Sequence, residues 1–362
     1  MAVDYNKIIE NDFEKPIYIN KYNELINYLT TYGPTDFWKI IREVGGSERR
    51  MMRLIEEMIN EGSIEFVDNK FNLKNNVSKY NYNLEEVEKK MKEIWDRKPI
   101  PTLFFDQRPV TLETTINRVK YLLKKNDVYN KNIVMLGDDD LTSIALALTN
   151  VDCTVVALDI DERLIDFINS ISKEYCLNLK AYVFNALDEV PTEFLNKFDV
   201  LMTDPTPERI PFTLFINDAI KLVKNENSII YTSIYSSAMS KTLDLQKVIT
   251  DMNLYITDII PLFTEYQAIY HLYRDSDKEF MRKYNINFDS KSICFTESLF
   301  RMEVTNETKI LELEYKGKDI FGKATKRVIN NRANDVVKSE CKYLDKVETM
   351  IKSSSDKVYI SK

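Results

Sequence analysis

An α/β protein, with a mostly parallel sheet of the nucleotide-binding kind behind a small N-terminal helical module, is predicted by three observations. Residues 131 to 149, KNIVMLGDDDLTSIALALT, place a short apolar strand at Ile133 to Leu136, a turn at Gly137, and an apolar helix pattern from Leu141. Strand and helix patterns then alternate regularly as far as TLDLQKVITDMNLY. Ahead of them, residues 20 to 74 read as three short helices and a hairpin.

In the N-terminal module, Leu25, Ile26 and Leu29 supply the apolar face of the first helix. Phe37, Trp38, Ile40 and Ile41 supply that of the second, and Met51, Leu54, Ile55, Met58 and Ile59 that of the third. Pro34, Thr35 and Asp36 start the second helix, Gly45-Gly46 end it, and Ser47 caps the third. SIEFVDNKFNLK reads as two strands around Asp68-Asn69, so residues 1–75 resemble a winged-helix domain. Arg49, Arg50 and Arg53 would suit a recognition helix, but Glu48, Glu56 and Glu57 share it, and a packing or dimerisation module is the preferred reading.

Residues 76–100 are expected to be a linker with a helix from Leu84 to Trp95, closed by Pro99 and Pro101. The main domain, 101–308, opens with a short aromatic strand, a loop at Asp106-Gln107 and a helix bearing Ile116, Val119, Leu122 and Leu123. After the Ile133 strand come Cys153 to Asp161, then a helix ERLIDFINSISKEY capped by Asp161, a third strand through Tyr182 to Phe184, and a fourth, Val200 to Met202. A fifth strand ends near Tyr235. DIIPLFTEYQ and ICFTESLFRMEV read as antiparallel closing strands with an irregular insert, 273–290, between them. Residues 309–362 read as a charged tail, solvated and mobile, or as a lid over the acidic cleft; from 310 on they hold 12 Lys and Arg against 8 Asp and Glu.

The turn after the first sheet strand has one glycine and three acids, Asp138, Asp139 and Asp140. An anion cradle would hold several glycines. Such a turn repels a pyrophosphate or a carboxylate and suits a cationic ligand, an amine or a sulfonium. The alternative is a solvated turn whose aspartates cap the helix. Asp159, about 20 residues on, is where such sheets hold ribose hydroxyls, Asn185 and Asp188 can reach an adenine edge, and Asp204 ends a central strand in the ligand crevice.

Composition narrows the chemistry. A net charge of −7 argues against nucleic-acid binding and is compatible with cationic substrates. Four dispersed cysteines and a single histidine, His271, indicate neither a metal site nor a disulfide framework, and Asp, Glu and Tyr must carry any proton transfer. With no signal sequence and no long apolar run, a cytoplasmic protein without membrane association is expected.

FFDQRPVTLETTINRV, GDDDLTSIAL and TDPTPE, together with the N-terminal module, resemble the branched-chain polyamine synthases (N(4)-bis(aminopropyl)spermidine synthases), a family of aminopropyltransferases, over about residues 20 to 305. The resemblance implies a Rossmann-like sheet of the class I methyltransferase type. It implies transfer of aminopropyl groups from decarboxylated S-adenosylmethionine, a co-substrate with no permanently bound cofactor, to the secondary amine of spermidine or a similar polyamine. The products would be branched polyamines and methylthioadenosine. Asp138, Asp139 and Asp140 are then the catalytic set, with Asp139 or Asp140 foremost as base and Asp138 near the donor's aminopropyl arm. Asp204, Tyr235 and Glu265 would bind the acceptor, Gln107, Gly137, Asp159, Asn185 and Asp188 the donor, and a homodimer is expected. Two alternatives stay open: an S-adenosylmethionine-dependent methyltransferase, and a DNA-binding regulator sensing a polyamine or adenosyl ligand.

Overall fold

The computed structural model describes residues 15–74, 82–102, 105, 107–224, 226–235, 239–269, 273–287, 292–316 and 358–361. The chain divides into two compact units, residues 1–84 with 119–129, and residues 85–118 with 130–362.

The first unit has the order anticipated: helices α1 (Lys15–Tyr32), α2 (Phe37–Val44) and α3 (Glu48–Glu61), then strands β1 (Ile64–Val67) and β2 (Lys70–Leu73). Its core joins Leu25, Ile26 and Leu29 to Ile40, Val44, Met51, Leu54, Ile55, Met58 and Ile64. Asp36 caps α2 by accepting from the Lys39 amide at 3.0 Å. Gly62, in the left-handed region, ends α3. Asp68 and Asn69 both take positive φ, as the two-residue turn between β1 and β2 requires. Two details differ from expectation. Trp38 is 69% exposed, because the short α2 turns Ile40 and Val44 inward instead, and Ser47 holds the cap position of α3 without a side-chain bond. The reading of this unit as a winged-helix domain is a proposal that its element order supports.

After the first residue of α4 (Leu84–Trp95) the chain belongs to the second unit as far as Arg118, within α5 (Leu112–Lys124), and again from Asn130. Its sheet is built from β3 (Lys131–Leu136), β4 (Cys153–Asp159), β5 (Leu179–Val183), β6 (Val200–Thr203), β7 (Ile229–Ile234), β8 (Tyr255–Gln267) and β9 (Ile293–Glu303). Their order is β5-β4-β3-β6-β7-β9-β8. The first five are parallel, β9 runs antiparallel to β7, and β8 antiparallel to β9. Helices α6 (Thr142–Ala147), α7 (Glu162–Glu174), α8 (Arg209–Leu222) and α9 (Met239–Asp251) connect the parallel strands and lead into β8. β3 and β6 read as continuous apolar runs because both faces are covered, and Val134, Leu136, Leu201 and Ile230 meet Phe212, Ile216 and Val248 in one core.

The order of strands reverses between β3 and β6, so a crevice opens outside their carboxyl ends. Thr203 ties the two ends together by donating to the Leu136 carbonyl at 2.8 Å.

Three expectations need correction. The described residues of 101–109 form no strand: Val110 makes only an isolated bridge to Tyr266, and Leu103, Phe104 and Asp106 lie outside the described residues. The insert between the closing strands is not wholly irregular, since Asp275–Lys283 form α10, whose Arg274–Asp277 capping box closes its first turn. The tail is partly a sheet: β10 (Leu313–Lys316) pairs antiparallel with β11 (Val358–Ser361), while 317–357 lie outside the described residues.

Candidate active site

The sequence GDDD folds into a turn in which each acid has a different task. Gly137 takes φ +78° and donates its amide to the Leu158 carbonyl, steering the chain off β3. Asp138, 1% exposed, accepts from the Ser143 amide at 3.2 Å and from its hydroxyl at 2.5 Å, and so caps α6. The first aspartate thus caps the helix, as the alternative has it, but it is buried rather than solvated. Burial pushes its pKa to about 7 against the Ser143 bonds, with Asp140 and Asp159 adding to the rise.

Asp140 is committed differently. Its Oδ1 accepts from the Val110 amide at 2.8 Å and its Oδ2 from Arg118 Nη1 at 2.5 Å. The other arm of the same guanidinium, Nη2, reaches Asp204 Oδ2 at 2.6 Å. Arg118 is 3% exposed, so one buried fork joins the turn after β3 to the end of β6 across the switch point. Burial acts to discharge Arg118, but Asp140 and Asp204 more than offset it and hold its pKa above the usual value. Burial raises the Asp204 carboxyl while Arg118 opposes the rise.

Asp139 is the acid the scaffold does not consume. Its Oδ2 is enclosed and has no hydrogen-bond partner among the described residues. Burial holds its pKa well above the carboxylate range, Asp140 and Asp159 add to the rise, and Lys98 opposes it. Asp204 Oδ1, Thr142 Oγ1 and the Lys98 ammonium are likewise enclosed without such a partner among the described residues. A buried polar atom left unpaired is costly, and a bound ligand with complementary groups offsets that cost. A cleft lined by Gly137, Asp138, Asp140, Thr142, Thr203 and Asp204 lies at the switch point between β3 and β6.

Asp159 ends β4 and points back at the turn, its Oδ2 accepting from the Asp138 amide at 3.0 Å and its Oδ1 from the Asp161 amide at 2.8 Å. Burial lifts its pKa to about 6, against those bonds. Asp161 caps α7, as expected. Gln107 is occupied within the protein: its oxygen accepts from the Thr102 amide and its amide donates to Asp161, at 2.9 and 3.0 Å. Asn185 and Asp188 lie in the turn after β5, the Asn185 carbonyl oxygens binding the Leu187 and Asp188 amides, with the Asp188 side chain exposed. Tyr235, directly after β7, packs edge-on against Phe295, which stacks on Tyr266 at 4.3 Å. Glu265 binds the 111–114 segment through its backbone, accepting from the Thr111 amide at 2.8 Å.

Four residues around this site went unread in the sequence. Arg118 stood among the apolar positions of a helix, and Glu297 in an apolar strand; those were their only signals. Glu297, 3% exposed on β9, accepts from the Tyr266 hydroxyl at 2.9 Å, and burial lifts its pKa to about 8, with Asp204 adding. Tyr266 and Lys98 had no signal at all. Among the described residues no group of His, Cys, Asp and Glu could hold a metal ion, and no helix is long and apolar enough to cross a membrane.

The sheet order defines an α/β protein of Rossmann-like fold, with acids gathered at its switch point. The model of the branched-chain polyamine synthase A C-terminal domain matches residues 86–326. The N(4)-bis(aminopropyl)spermidine synthase of Methanocaldococcus jannaschii is 34% identical over 284 residues, 70% of this chain and 79% of that protein. The enzyme of the same name from Thermococcus kodakarensis is 36% identical over 185 residues, 50% of this chain and 53% of that one. The crystal structure of the branched-chain polyamine synthase from Thermus thermophilus, in complex with N4-aminopropylspermidine and 5′-methylthioadenosine, has the same fold. It aligns with a TM-score of 0.56 at 21% identity over 80% of this chain and 89% of that one. The chain belongs to the branched-chain polyamine synthase family.

Proposed function

We infer that this chain is an aminopropyltransferase that moves aminopropyl groups from decarboxylated S-adenosylmethionine to the secondary amine of spermidine or a similar polyamine, releasing methylthioadenosine. The observation that carries the reading is the glycine-poor, three-acid turn at the switch point, in a chain related to enzymes of that name. Decarboxylation leaves the donor with a sulfonium and an ammonium and no carboxylate, a charge pattern this turn attracts.

In the reaction the lone pair of the acceptor nitrogen forms a bond to the aminopropyl carbon beside sulfur. The carbon–sulfur bond breaks, its electrons stay on sulfur, and the proton of the secondary amine passes to a carboxylate. Asp139 is the base this reading selects, because Asp138 is engaged as a cap and Asp140 with Arg118. Its raised pKa lies on the side that suits accepting a proton from an amine. Positive charge disappears at sulfur and grows at nitrogen, so fixed carboxylates beside nitrogen lower the barrier.

Asp204, whose Oδ1 is open to a donor, would hold an acceptor ammonium, with Tyr235 and Glu265 along the same path. Asp138 would lie beside the aminopropyl arm and Gly137 beneath the donor. Asp159 would meet the ribose, with Asn185 and Asp188 at the adenine. Gln107 would act on the donor side through Asp161. A homodimer working in the cytoplasm belongs to the same proposal.

Mass spectrometry of spermidine incubated with the protein and decarboxylated S-adenosylmethionine, beside S-adenosylmethionine itself, tests it. Products one or two aminopropyl units heavier are expected with the decarboxylated donor alone, and Asp139→Asn is expected to lower turnover by about 10²-fold or more. No such product across several polyamines would overturn the reading, and methylation, or salt-sensitive DNA binding without turnover, would put one of the other classes in its place.

A further inference from the structure

Beside the acids of the crevice stands an aromatic corner that proton transfer does not use. Tyr235 follows the last residue of β7, and β6 runs parallel to β7 with Thr203 level with Thr232. Asp204 is therefore level with Ser233, and Tyr235 stands two residues farther out, at the carboxyl end of the sheet where such folds bind ligands. Arg118 bears this out, since the Nη2 that donates to Asp204 at 2.6 Å also donates to Ser233 at 3.4 Å.

The neighbouring strands complete the corner. Phe295 of β9 is paired with Tyr266 of β8, and Glu297 with Thr264. By strand alternation Ser233, Tyr235, Glu297, Phe295, Thr264 and Tyr266 share one face of the sheet, and a hydroxyl bond of 2.8 Å joins Ser233 to Thr264 on it. Tyr266 is held twice: its hydroxyl donates to Glu297 at 2.9 Å, and its ring stacks on Phe295 at 4.3 Å between centroids with an 18° tilt. Tyr235 stands square to Phe295, at 5.6 Å and 89°. Tyr235 and Phe295 are half-buried, whereas Tyr266 behind Phe295 is buried.

A carboxylate such as Asp204 grips an ammonium through its N–H groups. Alkylation removes them. The secondary amine of the acceptor becomes tertiary after one aminopropyl transfer, and after a second it is a quaternary centre wrapped in four methylenes with no N–H to donate. An aromatic face attracts such a cation through the ring quadrupole, which is how quaternary ammonium ligands are commonly held.

We propose that Tyr235 and Phe295, backed by Tyr266, form the seat of the fully substituted nitrogen and thereby set whether a second aminopropyl group is added. The proposal deepens the aminopropyltransferase reading and rests on it. In the second transfer the lone pair of the tertiary amine forms the bond to the carbon beside sulfur, the carbon–sulfur bond breaks, and its electrons stay on sulfur. No proton leaves, so the carboxylate base has no part in this step. The aromatic corner supplies negative potential where the positive charge grows.

The test measures both transfers, with decarboxylated S-adenosylmethionine as donor and spermidine or N4-aminopropylspermidine as acceptor, in the wild type, Tyr235→Leu, Phe295→Leu and Tyr235→Phe. Mass spectrometry gives kcat/KM for each addition, and calorimetry gives the affinity for N4-bis(aminopropyl)spermidine beside that for spermidine. Each leucine variant should lose the second addition, and the affinity for the quaternary product, about tenfold more than the first addition and the affinity for spermidine, as the loss of a desolvated cation–π contact implies. Tyr235→Phe keeps the ring and should keep the wild-type ratio. Equal loss of both additions would overturn the proposal. A raised KM for the donor with an unchanged product ratio would also overturn it, and would assign the corner to the sulfonium. A wild type that stops at one added unit would overturn it and leave the transferase reading standing. No branched product from any polyamine would overturn that reading, and the proposal with it.

Discussion

Replacing Arg118 with methionine removes the cation that joins two buried carboxylates. Asp140 Oδ2 and Asp204 Oδ2 lie 2.5 and 2.6 Å from the two arms of a guanidinium that is itself 3% exposed. Removing one partner from a buried ion pair costs about 3–5 kcal/mol, because the charge left behind has no compensation. Two such charges remain here, repelling one another, so the upper part of that range applies unless they take up a proton. At about 2–4 °C per kcal/mol for a domain of this size, the melting midpoint should fall by about 10 °C or more. The pH dependence distinguishes this cause from lost packing. Burial already raises the Asp204 pKa, and without Arg118, the cation that opposes the rise, it would climb further above the unfolded value of about 3.9. The folded variant would then bind more protons than the unfolded chain, and its stability would decline as pH rises through that folded value, by up to about 1.4 kcal/mol per unit. The gap to the wild type should therefore be wider at pH 8 than at pH 5 in denaturant titrations, and Arg118→Lys should recover part of it. A loss below about 1 kcal/mol, or one of the same size at every pH, would refute the reasoning.

Two further outcomes follow from single positions. Glu297 has a folded pKa of about 8, above its unfolded value, so its contribution is complete below the unfolded pKa and is lost as pH rises to about 8. Glu297→Gln keeps an acceptor for Tyr266 and cannot ionise. The wild-type midpoint should therefore fall relative to this variant between pH 5 and pH 8 and level off above, and parallel curves would contradict the assignment. At Gly137, with φ +78° and open space where a Cβ would stand, Gly137→Ala should cost only the backbone strain of about 1–2 kcal/mol, read by chemical denaturation. A loss above about 3 kcal/mol would mean that the turn cannot keep its shape with a side chain there.

What was legible in the sequence was local. The strand, turn and helix around GDDD, the cap at Asp161, the two-residue turn at Asp68-Asn69 and the break after Asp204 are each set by a few neighbouring residues, whose backbone preferences do not depend on distant partners. The acid content of the turn, and so the charge of the ligand it suits, could also be read directly. The helix read from Leu141 forms as α6, with Leu141 itself in the cap position at a positive φ and Asp138 turned back to Ser143, details no pattern of apolar residues specifies.

The sequence by itself determined the class of the sheet, the place of the crevice at its switch point and the acid content of the turn beside it, since apolar periodicity and turn chemistry are short-range properties. Only the tertiary structure decided which of the turn's acids has partners within the protein. Arg118 is 22 residues from Asp140 and 86 from Asp204, and Tyr266 is 31 from Glu297. No local pattern announces such pairings, because burial and a partner's position together set whether a carboxylate is a cap, half of an ion pair or a base, and both arise only when the sheet closes. Three adjacent aspartates identical in sequence thereby become a cap at Asp138, a strut at Asp140 and, between them, an uncommitted carboxylate at Asp139.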